Sequence, residues 1–228
     1  MNSITETKSE PCDVDVLYRD DHYIAVGKPS GMIVHRGSGH DDVTVHDIVR
    51  DSIIGAPLFG LHRLDRGTSG VLLFALDSGA ASHFQGQINS GSVWKRYLTL
   101  VRGPMLDPVI VDHAISTRGG DKRVPAVTEF RPISHFERWS LVEAIPRTGR
   151  LHQIRKHLKH ISHPIIGDVL YGKGEINRFF REKYGLHRLA LHAAELHFTS
   201  MQSASITIRA DMPPDLATPL KMLRVWPV

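Results

Sequence analysis

The spacing of hydrophobic positions changes several times along the chain, and each change marks an expected element. Val14, Val16, Ile24 and Val26 flank the polar turn Arg19-Asp20-Asp21-His22, which predicts a hairpin of two short strands. Lys28-Pro29-Ser30-Gly31 reads as a turn, and Met32 to His35 as a resumed strand. Val45, Ile48 and Val49 give residues 43–53 a helical spacing. Leu61 to Leu64 predicts a short strand running into a loop over Asp65 to Gly70. The unbroken run Val71-Leu72-Leu73-Phe74-Ala75 is typical of a strand buried on both faces. Ser78 can cap a helix that reaches about Asn89.

Further strands are expected over Val93–Val101, Trp139–Ile145, Leu189–Phe198 and Ser205–Arg209, while Asp107–Val127 reads as loop-rich. Between them, Leu151, Ile154, Leu158 and Ile161 share one face of a helix that His163-Pro164 ends. Strands outnumber helices and rarely alternate with them. The expected class is therefore α+β, around a mixed, largely antiparallel sheet with flanking helices. Residues 1–13 read as a disordered polar tail, and 14–228 as one domain.

Charge sharpens this picture. The formal net charge of the 228 residues is only +4, but Arg147 to Arg188 carries ten Lys or Arg against three acids, and five of the 15 histidines. Such asymmetry suits a phosphate-rich partner, and equally a solvated basic face. No apolar run approaches the length that spans a bilayer, and the N-terminal stretch lacks the apolar core of a signal peptide. The one cysteine, Cys12, excludes an internal disulfide and a cysteine-rich zinc site. The expectation is a cytoplasmic protein.

Chemistry concentrates at His62-Arg63-Leu64-Asp65-Arg66-Gly67-Thr68-Ser69-Gly70. A carboxylate sits between two arginines at a strand end, followed by small residues whose backbone can approach a ligand closely. Neighbouring positive charge favours the ionised form, which can act as nucleophile or base. On local chemistry alone, a surface ion pair in a turn explains the segment as well.

Two other patterns lead elsewhere. Gly167 to Lys173 has phosphate-loop spacing, but Gly174 stands where Ser or Thr must hold magnesium, so no nucleotide cofactor is expected. His157, His160 and His163 lie three apart, yet no Asp or Glu falls between Arg147 and Ile166 to complete a carboxylate-containing site, and no metal is expected.

The string His62 to Gly70, continued by Val71 to Ala75, resembles the catalytic signature of the RluA family of pseudouridine synthases. Lys95-Arg96-Tyr97 is similar to that family's second motif, and Thr148-Gly149-Arg150-Leu151-His152-Gln153-Ile154-Arg155 to its third, in the same order. Lys28 to Gly31 and His163 to Asp168 match flanking blocks. The resemblance implies a pseudouridine synthase catalytic fold, without an added S4-type domain. It implies cofactor-free isomerisation of a uridine in RNA, with Asp65 as the catalytic carboxylate, Tyr97 stacked on the uracil and Arg155 paired with Asp65. RNA or uridine contacts are implied for His62, Arg63, Arg66, Thr68, Ser69, Gly70, Arg150, His152 and Gln153, with Leu191 closing the pocket.

Local physics fits one of these roles. Arg155 borders the apolar helix face, where a half-buried guanidinium needs a carboxylate. Gly167-Asp168, Tyr171-Gly172 and Asn177 to His192 further resemble a subgroup that acts on tRNA, at its position 65 in the T-stem region. Gly67 departs from that pattern, where proline is common, and Asp107–Val127 is shorter. The same chemistry on ribosomal RNA, and a non-catalytic RNA-binding protein on this scaffold, are the alternatives. The enzyme is expected to act as a monomer.

Overall fold

The computed structural model describes residues 14–36, 43–117 and 122–224; the tail expected over 1–13 lies outside them. The first hairpin pairs β1 (Val16–Arg19) with β2 (Tyr23–Lys28), and Asp20 closes its turn by accepting the amides of His22 and Tyr23 at 2.8 and 2.6 Å. The strand expected over Met32–His35 does not form. Instead the carbonyls of Ile33 and Val34 accept the amides of Val45 and His46, and so dock this segment against α1 (Val45–Ile48). Thr44 and Asp47 form a reciprocal capping box there. The helix continues as a π turn, Val49–Ile54, which Gly55 ends with φ 72°.

The next strand, β3 (Phe59–Gly60), ends before Leu61–Leu64, where it was expected. Residues 61–65 belong to no strand, although the Leu61 amide still reaches the Leu73 carbonyl at 3.4 Å, and β4 (Ser69–Ala75) starts early enough to include Ser69 and Gly70. Helix α2 (Ser78–Ser90) is capped by Asp77, which accepts the Ala80 amide at 2.8 Å; Ser78 is its first helical residue rather than its cap. Then come β5 (Trp94–Arg102), β6 (Val109–Asp112), β7 (Ile115–Ser116) and β8 (Arg123–Val124), so the loop-rich segment contains short strands.

Sequence periodicity gave no sign of β9 (Val127–Phe136), the longest strand among the described residues. Pro132 interrupts its pattern. The ladder absorbs it with a bulge opposite Leu141/Val142 of β10 (Trp139–Pro146), beyond the point where β6 stops pairing, so no ladder bond is lost on that side. After α3 (Gln153–His160), helix α4 (Gly174–Tyr184) precedes the final hairpin, β11 (Leu191–Thr199) and β12 (Ser205–Arg209). Helix α5 (Pro214–Met222) follows. No element was expected there; Pro214 sits at the helix start, where no amide is needed, and Pro219 lies within the helix.

Ten of these strands form one sheet, ordered β1-β2-β4-β11-β5-β10-β9-β6, with β12 on β11 and β3 on β4. Its one parallel pair is β4 with β11, as expected for a mixed, largely antiparallel sheet. Alternation explains the apolar run in β4: Leu72 and Phe74 join Ile24 and Val26 under α1, while Val71 and Leu73 join Tyr23 and Ala25 under α2. A third core packs β5 and β10 against α3, α4 and α5. The sheet's midline, where β4, β11 and β5 meet, therefore lies between the two cores on the faces of β4 and the third, and the string His62 to Gly70 leads into it.

Candidate active site

Asp65 is delivered by a turn that two segments hold rigid. Thr68 donates to the Asp65 carbonyl at 3.0 Å, closing the turn itself. Gly31 and Arg66 then bond reciprocally: the Gly31 amide reaches the Arg66 carbonyl at 2.8 Å, and Arg66 Nε reaches the Gly31 carbonyl at 2.8 Å. Lys28, 1% exposed, donates from Nζ to the carbonyls of Pro29, Met32 and Arg66 at 2.7, 2.7 and 3.2 Å. Burial, and then the charge of Arg188, lower the Lys28 pKa to about 7. The loop's ends are clamped as well. His62 Nε2 accepts the Leu73 amide at 3.1 Å, and Ser69 Oγ contacts His192 Nδ1 at 2.8 Å and Arg188 Nη2 at 2.6 Å. Gly70 has φ 115°, and a Cβ there would collide with the Ala193 carbonyl, so β4 and β11 approach closely only because the residue is glycine.

Arg155 rises from α3 and meets two carboxylates. Nη1 donates to Asp65 Oδ2 at 3.0 Å, while Nε and Nη2 form a fork onto Asp168 at 2.7 and 2.9 Å. The expected pairing of Arg155 with Asp65 is therefore present, and a second acid, Asp168, carries the larger share of the guanidinium. Asp168 is buried and also accepts the amides of Leu170 and Tyr171 at 2.9 and 3.0 Å. Burial alone would raise the pKa of Asp168, but the Arg155 guanidinium and these amides outweigh it and bring it down. Burial likewise opposes the charge on Arg155, and the Asp168 and Asp65 carboxylates overcome it. Asn177 of α4 ties the loop in place by donating to the Asp168 carbonyl and accepting the Gly167 amide, each at 2.9 Å.

These groups open on a cavity of about 470 Å³. Asp65, Tyr97 and Arg155, expected together, all line it. So do Arg63 and Thr68 from the Asp65 segment, Arg150, His152 and Gln153 from the start of α3, and Leu191 from β11. His152 has φ 55°, and its Nε2 lies 3.7 Å from Asp65 Oδ1 while its Nδ1 contacts the Tyr171 hydroxyl at 3.1 Å. The Tyr171 ring in turn lies 5.0 Å from the Arg155 guanidinium. Burial, then the Asp65 charge, raise the Tyr97 pKa, so its phenol stays protonated. Gln153 borders the cavity, but its amide is committed to the scaffold: it binds Val127, Thr128, Thr148 and the Arg150 amide.

Four residues expected at the RNA contact do not line the cavity: His62, Arg66, Ser69 and Gly70. Each instead shapes or clamps the Asp65 loop through the bonds above. The three histidines of the rejected metal pattern are likewise dispersed. His157 is buried between Thr128 and the His113 carbonyl, His160 stacks on His113 at 3.7 Å, and His163 bonds the Arg102 carbonyl. Residues missed from sequence are Lys28, Asp168, Tyr171 and Lys95. Lys28, Asp168 and Tyr171 stand within blocks that match the family, and Lys95 stands two residues from Tyr97 on the same strand face, so a signal was present for all four.

A second cavity, of about 550 Å³, shares Leu151 and His152 with the first. Arg123, Lys156, Lys159, His113 and His160 contribute to its lining, and no Asp or Glu among the described residues does. Lys156 is anchored to the Ser116 carbonyl at 2.8 Å, and Lys159 lies 5.8 Å from the Tyr171 ring.

Among the described residues, no helix is long and apolar enough to cross a membrane. A family model described as RNA pseudouridylate synthase matches residues 22–160. The tRNA pseudouridine synthase C of Vibrio parahaemolyticus is 38% identical, with 82% of this chain and 85% of the relative aligned. That of Haemophilus ducreyi is 40% identical, over 87% of this chain and 90% of the relative. Human RNA pseudouridylate synthase domain containing 4 superposes with a TM-score of 0.78 at 26% identity, covering 92% of this chain and 93% of that one. With the family match spanning Asp65, Tyr97 and Arg155 alike, this chain belongs to the RNA pseudouridylate synthase family.

Proposed function

We propose that this enzyme isomerises uridine to pseudouridine in tRNA, at position 65 in the T-stem region, with Asp65 as the catalytic carboxylate. The observation that carries the proposal is the Asp65 carboxylate, held at 3.0 Å by Arg155 in a cavity that Tyr97 also lines. The relatives named as tRNA pseudouridine synthases support tRNA as the substrate.

A target uridine stacked in a helix hides its C1′ and its ring, so it must swing out to react. Arg63, exposed at the cavity rim, fills the vacated space. The extruded base lies between the Tyr97 ring and Leu191. Asp65 then attacks the sugar or takes a proton from it, while Arg155, itself locked by Asp168, fixes the carboxylate's direction. Arg150 and the basic second cavity hold backbone phosphates on either side. Nothing is oxidised or reduced and no phosphate is transferred; the Asp65 carboxylate supplies the reactive group, and the isomerisation is cofactor-free. Residues 14–228 act as one catalytic unit, as a monomer in the cytoplasm.

The test is to incubate the purified protein with tRNA and ribosomal RNA transcripts labelled with tritium at uracil C5, and to map the product. Tritium release from tRNA, with pseudouridine at position 65, is expected. Release only from ribosomal RNA would move the substrate. Binding without release from either would leave an RNA-binding protein on this scaffold.

A further inference from the structure

Lys95 and Tyr97 stand two residues apart on β5, so their side chains leave the same face of the strand, and both line the Asp65 cavity. Tyr97 has an assigned part in the proposed reaction, and Lys95 has none. Among the described residues, Lys95 has neither a hydrogen-bond nor an ion-pair partner. Burial is the sole influence on its titration and lowers its pKa to about 8, so no carboxylate compensates it. The titratable group packed beside it is His62, whose own pKa is driven far down by burial and then by the Lys95 charge. His62 Nε2 accepts the Leu73 amide, which places its proton on Nδ1, a buried atom with no acceptor. His62 is therefore neutral and supplies no counter-charge. The other charged or titratable groups of the cavity are Asp65, Arg63, Arg150, His152 and Arg155, besides Tyr97, and Asp65 is already engaged by Arg155.

An unanswered ammonium in a cavity wall is costly to keep, and it becomes useful when the incoming ligand develops negative charge. We infer that the Lys95 ammonium is a catalytic residue that stabilises the negative charge gathering on the uracil as it leaves the sugar. This inference rests on the isomerase reading above. When the C1′–N1 bond breaks, its electron pair stays on N1 and spreads to the O2 and O4 carbonyl oxygens. The open valence at C1′ is filled by the Asp65 carboxylate, or by loss of the C2′ proton to that carboxylate. The base turns and C5 bonds to C1′ as the Asp65–C1′ ester bond breaks with its electron pair returning to the carboxylate, or, in the other branch, as the carboxylate returns its proton to C2′. The C5 proton then departs to solvent, and N1 regains a proton. Lys95 donates a hydrogen bond to a uracil oxygen throughout and gives up no proton.

The full chain, its Lys95→Met variant and its Lys95→Arg variant are compared on tRNA. Lys95→Met is expected to lower kcat about 100-fold while KM moves less than about 3-fold, because the contact strengthens only as charge develops. Lys95→Arg, which keeps the charge, is expected to recover at least about a tenth of the wild-type kcat. Wild-type kcat should fall as pH rises through about 8, since the protonated form is required. That limb should vanish in Lys95→Met and move to higher pH in Lys95→Arg.

Wild-type kcat in Lys95→Met would overturn the inference. So would a rise in KM alone with a shallower salt dependence of RNA binding, which marks a phosphate contact instead. Should Lys95→Met fail to fold, the wild-type and Lys95→Arg pH profiles decide, and coincident profiles count against it. A wild-type protein that makes no pseudouridine refutes the isomerase reading itself, a separate outcome.

Discussion

Arg155 commits two of its hydrogen bonds to Asp168, at 2.7 and 2.9 Å, and one to Asp65, at 3.0 Å. The fork fixes the guanidinium plane, and the remaining bond aims Asp65 into the cavity. Asp168 is thus a positioning residue that acts through Arg155. Asp168→Asn keeps the shape but leaves the buried guanidinium short of negative charge. It is expected to cost about 3 kcal/mol of stability, the scale of breaking a buried pair. Urea unfolding measures this cost. A kcat loss with little change in KM should accompany it, and an unchanged unfolding midpoint together with wild-type kcat would dismiss the role.

Lys28 gives the fold a pH dependence. Its pKa is lowered to about 7 in the folded chain from an ordinary value of 10.5. Between these values the unfolded chain holds a proton that the folded chain releases, so the lysine's contribution to stability rises with pH over that window. The unfolding free energy of the wild type minus that of Lys28→Met should therefore climb between about pH 7 and pH 10. Thermal or urea unfolding across that range checks the direction, and a falling difference would contradict it.

Two glycines should respond oppositely to alanine. Gly70, with φ 115° and the Ala193 carbonyl in the path of a Cβ, is expected to lose more than about 2 kcal/mol. Gly86 lies within α2 with open space around it, so alanine there should stabilise by about 0.5–1 kcal/mol. Paired melting curves settle both signs.

The second cavity gives a salt-dependent prediction. If it holds a backbone phosphate, Lys159→Gln should weaken RNA binding alike across sequences. It should also reduce the slope of log K against log salt by roughly 0.7–0.9. An unchanged slope would place the phosphates elsewhere.

Parts of this architecture were legible in residue order because local physics fixes them. The short apolar run 71–75 suits a strand covered on both faces, and the Leu151–Ile161 spacing marks a helix whose face carries Arg155 beside its apolar stripe. What escaped depends on tertiary contacts. Strand β9 is specified by its neighbours and tolerates Pro132 only through a bulge against β10. Helix α5 holds Pro214, which a helix start accepts, and also Pro219 within it, so local pattern gave no helical signal there. At the site, a motif joins residues that face the cavity to residues that brace it, and residue order does not separate them. His62 and Ser69 sit in the same string as Asp65, yet one bonds the Leu73 amide and the other Arg188 and His192. Asp168 lies 13 residues past Arg155, across a proline break, so helical spacing could not pair them.

The central claim is that the Asp65 carboxylate does the chemistry. Single-turnover release of tritium from C5-labelled tRNA by Asp65→Asn tests it most directly, alongside RNA affinity and melting temperature. The expected result is a rate at least about 1000-fold below wild type, with affinity within about 2-fold and melting unchanged, because the group acts only at the reacting centre. A folded variant releasing tritium at the wild-type rate would contradict it.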